Sequence, residues 1–358
     1  MNGVALRYLC RRFLTRFALV LLGAALLIVL FDALNSIDTI EQRYGYDVAS
    51  VVRYMICRLP EHANTILPLS VLVSALITLL GLAQANEILA FKSAGLSFVR
   101  IVVLLLPAAA VVAVVHFVIG DQLVPWGRAM LALHEIERPG GVPLENGRGV
   151  WLRDTPYLVR VEAVHREGRF LTDVSLMRRD AQGNLVERIY AQGARYESGG
   201  WRLIDVVVQT VDPIAPRSER LAERFWATNL APSDFHNLSA SPAQFTAAEL
   251  IALRDGQAIA ARQPHVYDTW LQRRIAIPAV IVVMLLLAAP VAQARMRGAS
   301  IGGRLVIGVA LGFLYFIVDG LALALGEGGA ILPLVAAWTP VLAFASIGGS
   351  VLMRVERV

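Results

Sequence analysis

The sequence predicts a polytopic membrane protein with six transmembrane α-helices, three on each side of an inserted antiparallel β-sandwich. Hydrophobic residues make up 56% of the chain, above the roughly 45–50% of soluble domains. Six apolar stretches flank one polar block, at residues 13–34, 63–85, 101–120, 270–292, 301–325 and 331–353. Each has the roughly 20 residues that cross a bilayer core at about 1.5 Å per residue.

The basic residues in the short flanks predict the orientation, because Lys and Arg are enriched on the cytoplasmic side of membrane proteins. They collect on one predicted side, as Arg7, Arg11, Arg12, Arg16, Lys92, Arg100, Arg295, Arg297, Arg304, Arg354 and Arg357. Both termini are therefore expected in the cytoplasm, with the polar block outside. The predicted domains are residues 1–134 with three spans, 135–265 with the β-domain and a final short helix, and 266–358 with three spans.

The polar block alternates apolar and polar residues in short runs, which is typical of antiparallel strands separated by turns. The runs are 150–153, 157–162, 174–179, 185–197, 201–211 and 221–228. Their apolar positions predict an interior that includes Val159, Val161, Leu203, Val206 and Val208. We expect no helix of useful length before Ser241; Thr246 and Glu249 then have capping-box spacing before a helix at 250–261, which Pro264 ends.

A second short segment, between spans two and three, has apolar residues at helical spacing. It predicts a cytoplasmic helix at about 86–96, which Gly95 would terminate. Such a helix suits docking into a groove of a partner ATPase, and it equally suits a simple interfacial turn between two spans. The residues that docking would use are Asn86, Glu87, Leu89, Phe91, Lys92 and Gly95.

Polar residues also gather near the outer ends of the spans, together with His116, Asp121 and Asp268. The candidates for binding an amphiphilic lipid are Asp32, Arg128, His134, Arg273, Arg274 and Asp319. Arginine binds phosphate bidentately, so a cationic rim above an apolar cavity suits a phosphorylated lipid. The other interpretation is that these side chains reach the lipid headgroups as ordinary interfacial residues.

The sequence lacks the residues that several kinds of catalytic and transport chemistry require. The only Lys-Ser pair, Lys92-Ser93, is not preceded by the glycines of a phosphate-binding loop. No zinc-ligand spacing, nucleophile elbow or mid-span carboxylate is present, which argues against an enzyme and against an ion-driven carrier. The net charge of +5 reflects membrane topology and does not suggest nucleic acid binding. Cys10 and Cys57 lie on opposite predicted sides, so no internal disulfide is expected.

Local sequences along nearly the whole chain carry a family resemblance. They are Leu67-Pro68, Asn86-Glu87 with Ser93-Ala94-Gly95, Pro125, the run 149–153, and Trp270 with Arg273 and Pro278. With the three-plus-three layout, this combination resembles the LptF/LptG family of lipopolysaccharide-export permeases. The regions 149–153 and 157–164 and the short C-terminal tail resemble the G type more than the F type.

The resemblance implies an inner-membrane permease with a periplasmic β-jellyroll. It further implies an F-type six-span partner, a cytoplasmic ATPase dimer that uses ATP and Mg, and a single-span protein whose own jellyroll receives lipopolysaccharide. The chain itself would be non-catalytic and hold no cofactor. By position, Glu87 matches the coupling-helix acid of the family, and Asp32 an acid at the outer end of span one. The chain departs from the pattern at Val29, where G-type members can have Lys, and after span three, where its basic residues are Arg128 and His134.

Two other functions remain open at this point. One is an ATP-driven permease for another amphiphile, such as a lipoprotein. The other is a membrane scaffold or sensor whose outer domain binds a ligand.

Overall fold

The computed structural model describes residues 2–44, 47–133, 149–154, 156–180, 184–197, 199–211, 217–293 and 301–356. In these ranges the helices before the insert are α1 (Asn2–Asn35), α2 (Ile37–Tyr44), α3 (Val48–Gln84), α4 (Glu87–Ser93), α5 (Phe98–Val103), α6 (Leu106–Val118) and α7 (Val124–Leu133). The helices after it are α8 (Pro232–Ser239), α9 (Ala247–Arg254), α10 (Pro264–Gln293), α11 (Ile301–Glu327) and α12 (Pro333–Glu356).

The described ranges contain six helical segments long and apolar enough to span a membrane. These are Gly3–Asn35, Val48–Gln84, Phe98–Leu131, Pro264–Gln293, Gly302–Glu327 and Pro333–Arg354. The predicted three-plus-three arrangement is therefore confirmed. The 37 residues of α3 measure about 55 Å at about 1.5 Å per residue. That exceeds a bilayer core of about 30 Å, so part of α3 extends beyond the apolar region.

The bundle is organised around α10, which packs against α3, α6, α11 and α12. Small residues allow α11 to approach α3 closely: Gly308 lies against Leu76, and Gly312 lies against Leu72. A Cβ at either glycine would collide with the leucine carbons. Because lipid tails are as apolar as leucine, close packing of this kind holds membrane helices together.

The third span is not a continuous α-helix. Between α6 and α7 the backbone forms a π-helical turn at Ile119–Leu123. Such a turn adds one residue to the helix and shifts the side chains that follow it. It brings Asp121 to the end of the bundle where the β-domain is inserted.

The insert contains strands β1 (Val150–Asp154), β2 (Tyr157–His165), β3 (Phe170–Arg179), β4 (Leu185–Glu197), β5 (Gly200–Thr210) and β6 (Arg217–Ala227). The described strands pair antiparallel in chain order into one six-stranded sheet. All the predicted interior residues are buried, namely Val159, Val161, Leu203, Val206 and Val208. The predicted antiparallel β-insert is thus confirmed.

Three expectations about the end of the insert were wrong. Helix α8 precedes Ser241, because Pro232 suits the first helical turn and the Asp234 carboxylate accepts a 2.8 Å hydrogen bond from the Ala231 N–H. The helix predicted at 250–261 is α9, which ends at Arg254.

The capping box of α9 is confirmed, since Thr246 and Glu249 each accept a hydrogen bond from the other's backbone N–H. Gly256, with a φ of +71°, follows the end of this helix. Pro264 begins α10 instead of ending the preceding helix.

Candidate functional site

The segment between α3 and α5 forms the predicted short helix, α4. Asn86 precedes it in the left-handed region, with a φ of 54°, and Gly95 follows it with a φ of +86°. Both conformations suit the residue types found there. Together, α4 and the first turns of α1 are called the coupling end below.

Glu87, the first residue of α4, is held by α1. Its carboxylate lies 2.7 Å from the Arg12 guanidinium and accepts a 2.8 Å hydrogen bond from the Tyr8 hydroxyl. Burial of the carboxyl raises its pKa, but the hydrogen bonds from Arg12 and Tyr8 outweigh burial, so the pKa of Glu87 lies below its usual value. The N-terminal helix and α4 therefore meet at one end of the bundle.

A largely apolar groove of about 610 Å³ lies between the same two helices. Its lining includes Val4, Tyr8, Glu87, Phe91 and Leu96. Of the six predicted docking residues, Glu87 and Phe91 thus line this groove. The other four are exposed on α4 and its flanks, as Asn86, Leu89, Lys92 and Gly95.

At the opposite end of the bundle, all three of the predicted lipid-binding arginines are paired with carboxylates. The distances are 2.8 Å for Arg128–Glu61, 2.6 Å for Arg273–Asp319 and 2.6 Å for Arg274–Asp121. Each pair joins two different helical segments. This region, where the β-domain is inserted, is called the β-domain end.

A cavity of about 320 Å³ collects these groups. Arg128, Arg273, Arg274 and Asp319 all line it. Its other polar lining residues are Glu61, Asn64, Thr65, His116, Trp270 and Tyr315. The structure therefore brings four of the six predicted lipid-binding residues to one cavity within a single chain.

The other two predicted residues do not line this cavity in the described structure. Asp32 of α1 accepts a 3.0 Å hydrogen bond from the Tyr54 hydroxyl and lies 3.5 Å from Arg58 and 3.2 Å from His62. It connects to the cavity indirectly, since Arg58 also pairs with Glu61 at 2.6 Å. His134 lies outside the described residues.

Glu61 is not among the predicted lipid-binding residues, although its carboxylate accepts hydrogen bonds from Arg58 and Arg128. It looks like a loop charge, because the apolar stretch of span two begins only at residue 63. A signal was present: Arg58, Glu61, Thr65 and Pro68 are spaced by three or four residues, which places them on one helix face.

The three arginines differ in how freely they reach a ligand. The side chain of Arg273 is 31% exposed and stacks over the Trp270 ring at 5.6 Å. The side chain of Arg274 is only 13% exposed. A guanidinium has five N–H donors, so Arg273 can keep Asp319 and still donate to a phosphate. Arg274 offers less surface for such a contact.

Several lining residues have polar atoms without hydrogen-bond partners in the described part of the chain. These are Asn64 Oδ1, His116 Nδ1, Arg128 Nη1 and Tyr315 Oη. Buried polar atoms are nearly always hydrogen-bonded in folded proteins. The surroundings of the cavity thus favour a polar group over a purely apolar one.

Comparison with known proteins identifies the family. The sequence model that matches residues 7–354 is described as "Lipopolysaccharide export system permease LptF/LptG". The chain belongs to this permease family. It is 27% identical over 279 residues to the LptG permease protein of Haemophilus influenzae, covering 76% of this chain and 77% of that one. It is 23% identical over 358 residues to LptG of Escherichia coli K12, covering 98% of each chain.

Membership of the LptF/LptG family agrees with the resemblance in local motifs, and both relatives carry the G-type name. The chain is thus a transmembrane subunit of the lipopolysaccharide-export permease family. Within the residues that the structure describes, no cluster of three or more His, Cys, Asp or Glu side chains suits a metal ion. The candidate sites of this permease are its coupling end and its β-domain end.

Proposed function

We propose that this permease is the non-catalytic transmembrane subunit of an ATP-driven exporter. It extracts lipopolysaccharide from the inner membrane and passes it to a periplasmic β-jellyroll bridge. The observation that carries the proposal is the separation of two sites: an exposed coupling helix at one end, and a cavity lined by three arginines at the other. This is the layout that a permease needs when energy is supplied on one side and cargo is moved on the other.

The proposed partners are those that the family resemblance implies, and these surfaces are suited to them. A cytoplasmic ATPase dimer, using ATP and Mg, docks on α4, where Leu89 is 67% exposed and the neighbouring groove is apolar. A single-span protein with its own jellyroll receives the lipid from the β-domain. Both termini lie in the cytoplasm and the β-domain in the periplasm. The contact between Arg12 and Glu87 supports this topology, because it joins the arginine-rich N-terminus to the coupling helix.

A homologous F-type six-span chain completes the membrane part. The apolar membrane-spanning parts of α1 and α11 are only 22% and 28% buried within this chain, whereas that of α3 is 67% buried. Their outward side chains include Leu27 and Phe31 on α1 and Phe313 and Ile317 on α11. These faces are available to lipid and to a second permease chain.

In this proposal Arg273 is the principal contact for a lipid phosphate, because it is the most exposed of the three cavity arginines. Its pairing with Asp319 holds the guanidinium at the cavity before the lipid arrives. Charge-assisted hydrogen bonds from arginine to phosphate are among the strongest in proteins.

The test is affinity purification of this chain from its native membrane in mild detergent, followed by native mass spectrometry. We expect a complex with a second six-span chain, two ATPase copies and a bound lipopolysaccharide. A complex that carries a lipoprotein instead would make the chain a permease for another amphiphile. A lone chain with only phospholipid would contradict export and favour a scaffold.

A further inference from the structure

The segment that returns from the β-domain to the membrane is held at two places. Helix α8 is fixed to the sheet: Phe235 is fully buried, and its ring lies 5.0 Å from that of Trp201. The Trp201 indole N–H also donates a 2.9 Å hydrogen bond to the Leu230 carbonyl. Gly168, at the turn between β2 and β3, lies so close to Pro232 that a Cβ would meet the Pro232 carbonyl oxygen. Any movement of the sheet therefore carries α8 with it.

Helix α9 is fixed to the transmembrane body instead. Leu250 and Leu253 are buried in a small cluster with Phe245 and Tyr267, and Tyr267 belongs to the first turns of α10. Between α8 and α9 there are only seven residues, including a 3₁₀ turn at Pro242–Gln244. The β-domain also touches the spans directly, where the turn Arg166–Gly168 contacts α7. Its orientation thus depends on that contact and on how α9 is held.

One carboxylate oxygen connects α9 to two spans. Asp121 Oδ1 accepts a 3.0 Å hydrogen bond from the backbone N–H of Ala247, the first residue of α9. The same oxygen accepts a 2.6 Å hydrogen bond from Arg274 of α10. Asp121 itself lies in the π-helical turn of the third span, 126 residues before Ala247. These contacts are called the Asp121 clasp.

The contacts of the Asp121 clasp require a negative charge at position 121. A helix N-terminus carries a partial positive charge and unpaired N–H groups, so it attracts an anion. The capping box of Thr246 and Glu249 pairs the N–H groups of those two residues, and Asp121 pairs that of Ala247. Arg274 neutralises the carboxylate on its other side. A carboxylate fits both the Ala247 N–H and the Arg274 guanidinium, whereas a cation at position 121 would be repelled by the positive end of α9.

We propose that Asp121 is a positioning residue that sets the orientation of the β-domain relative to the transmembrane helices, with Arg274 as its charge partner. Arg274 thus helps to position the β-domain, while the adjacent Arg273 faces the cargo. Only one consequence rests on the proposed function: lipid leaves the cavity towards a β-domain that is held in one orientation. The orientation itself is measurable without any lipid.

The experiment is a pulsed electron–electron double resonance measurement on the full chain in lipid nanodiscs. Cys10 and Cys57 are replaced by Ser, and spin labels are placed at Glu219 on β6 and Leu332 before α12, both exposed positions. The variants are D121A, D121N and the charge swap D121R/R274D. The matched control is D255N, which disrupts an exposed ion pair with Arg254 at the other end of α9.

We expect one narrow distance distribution for the parent chain and for D255N. D121A should broaden or shift it clearly, and D121N should do so to a smaller extent, because the amide keeps an acceptor for Ala247 but loses the charge. The swap should not restore the parent distribution, since it repairs the pair between spans but places a cation at the α9 terminus.

Two results would overturn the proposal. One is a D121N distribution that superimposes on that of the parent chain, which decides the question even if D121A does not purify. The other is full recovery in the swap, which would make Asp121 an ordinary partner of Arg274. Because no lipid or ATPase enters this measurement, its failure is separate from failure of the export proposal.

Discussion

At the coupling end, one carboxylate meets one arginine and one tyrosine beside an apolar groove, while at the β-domain end a chain of ion pairs crosses several helices. Glu87 and its partner Arg12 have side chains 29% and 25% exposed. At the β-domain end, the side chains are 31% and 10% exposed in the Arg273–Asp319 pair and 13% and 23% exposed in the Arg274–Asp121 pair. A more exposed ion pair contributes less to stability, whereas a more deeply buried one costs more to break. The difference suits docking at one end and fixed geometry at the other.

The largest effect should follow from removing Glu61, which pairs with both Arg58 and Arg128. Glu61→Ala leaves two partly buried guanidiniums without their shared anion. We expect a loss of about 2–3 kcal/mol of unfolding free energy, below the figure for a fully buried pair. Unfolding in bicelles by steric trapping measures it.

The matched control is Glu223→Ala, which removes an exposed partner of Arg202. It should cost less than about 1 kcal/mol, as exposed pairs do. Equal losses in the two variants would show that the β-domain end is no more dependent on its ion pairs than the protein surface.

The second effect concerns the coupling end. Glu87→Arg places a cation beside Arg12 and should reduce co-purification of the ATPase about tenfold, equivalent to about 1.4 kcal/mol of binding. Asp255→Arg is the control, since Asp255 is also an exposed acid paired with an arginine at a helix end. Quantitative mass spectrometry of the purified complex gives the ratio.

Thermal unfolding of the Glu87→Arg chain should stay close to that of the parent, because it breaks a single, partly exposed pair, whereas Glu61→Ala breaks two. Normal assembly of the complex with Glu87→Arg would remove Glu87 from the docking surface.

Sequence reasoning worked best where the determining contacts are local. Helix α4 follows from apolar spacing within ten residues and a terminal Gly95, and the cap of α9 follows from Thr246 and Glu249. The strands follow from alternation, with Val159 and Val161 buried as expected.

The pairings at the β-domain end could not be predicted in this way, because their partners are far apart in the chain. Glu61 and Arg128 are 67 residues apart, and Asp121 and Arg274 are 153 apart. Which arginine meets which acid depends on how the helices pack and on the π-helical turn at Ile119–Leu123, and neither leaves a periodic pattern in the sequence.

A third prediction separates two neighbouring arginines. Arg273→Glu should lower the amount of bound lipopolysaccharide by about three- to tenfold, since it replaces the exposed cation at the cavity by an anion. That range corresponds to about 0.7–1.4 kcal/mol. Phosphate quantification of lipid that co-purifies with the complex measures it.

Arg169→Glu, in the β-domain and away from the cavity lining, is the control for overall charge. Lipid content unchanged from the parent in Arg273→Glu would exclude Arg273 as a phosphate contact.

The smallest effect is the pH dependence of the Glu87 contact. The pKa of Glu87 in the folded chain lies below its usual value of 4.5. Its pairing with Arg12 therefore stabilises the fold fully above that usual value and is lost as the pH falls through the lowered pKa. The contribution of such a partly exposed pair is about 0.5 kcal/mol. The difference in unfolding free energy between the parent and Glu87→Gln should be constant from pH 8 to pH 6 and shrink only in acid. A difference that changes between pH 8 and pH 6 would show that another group controls the contact.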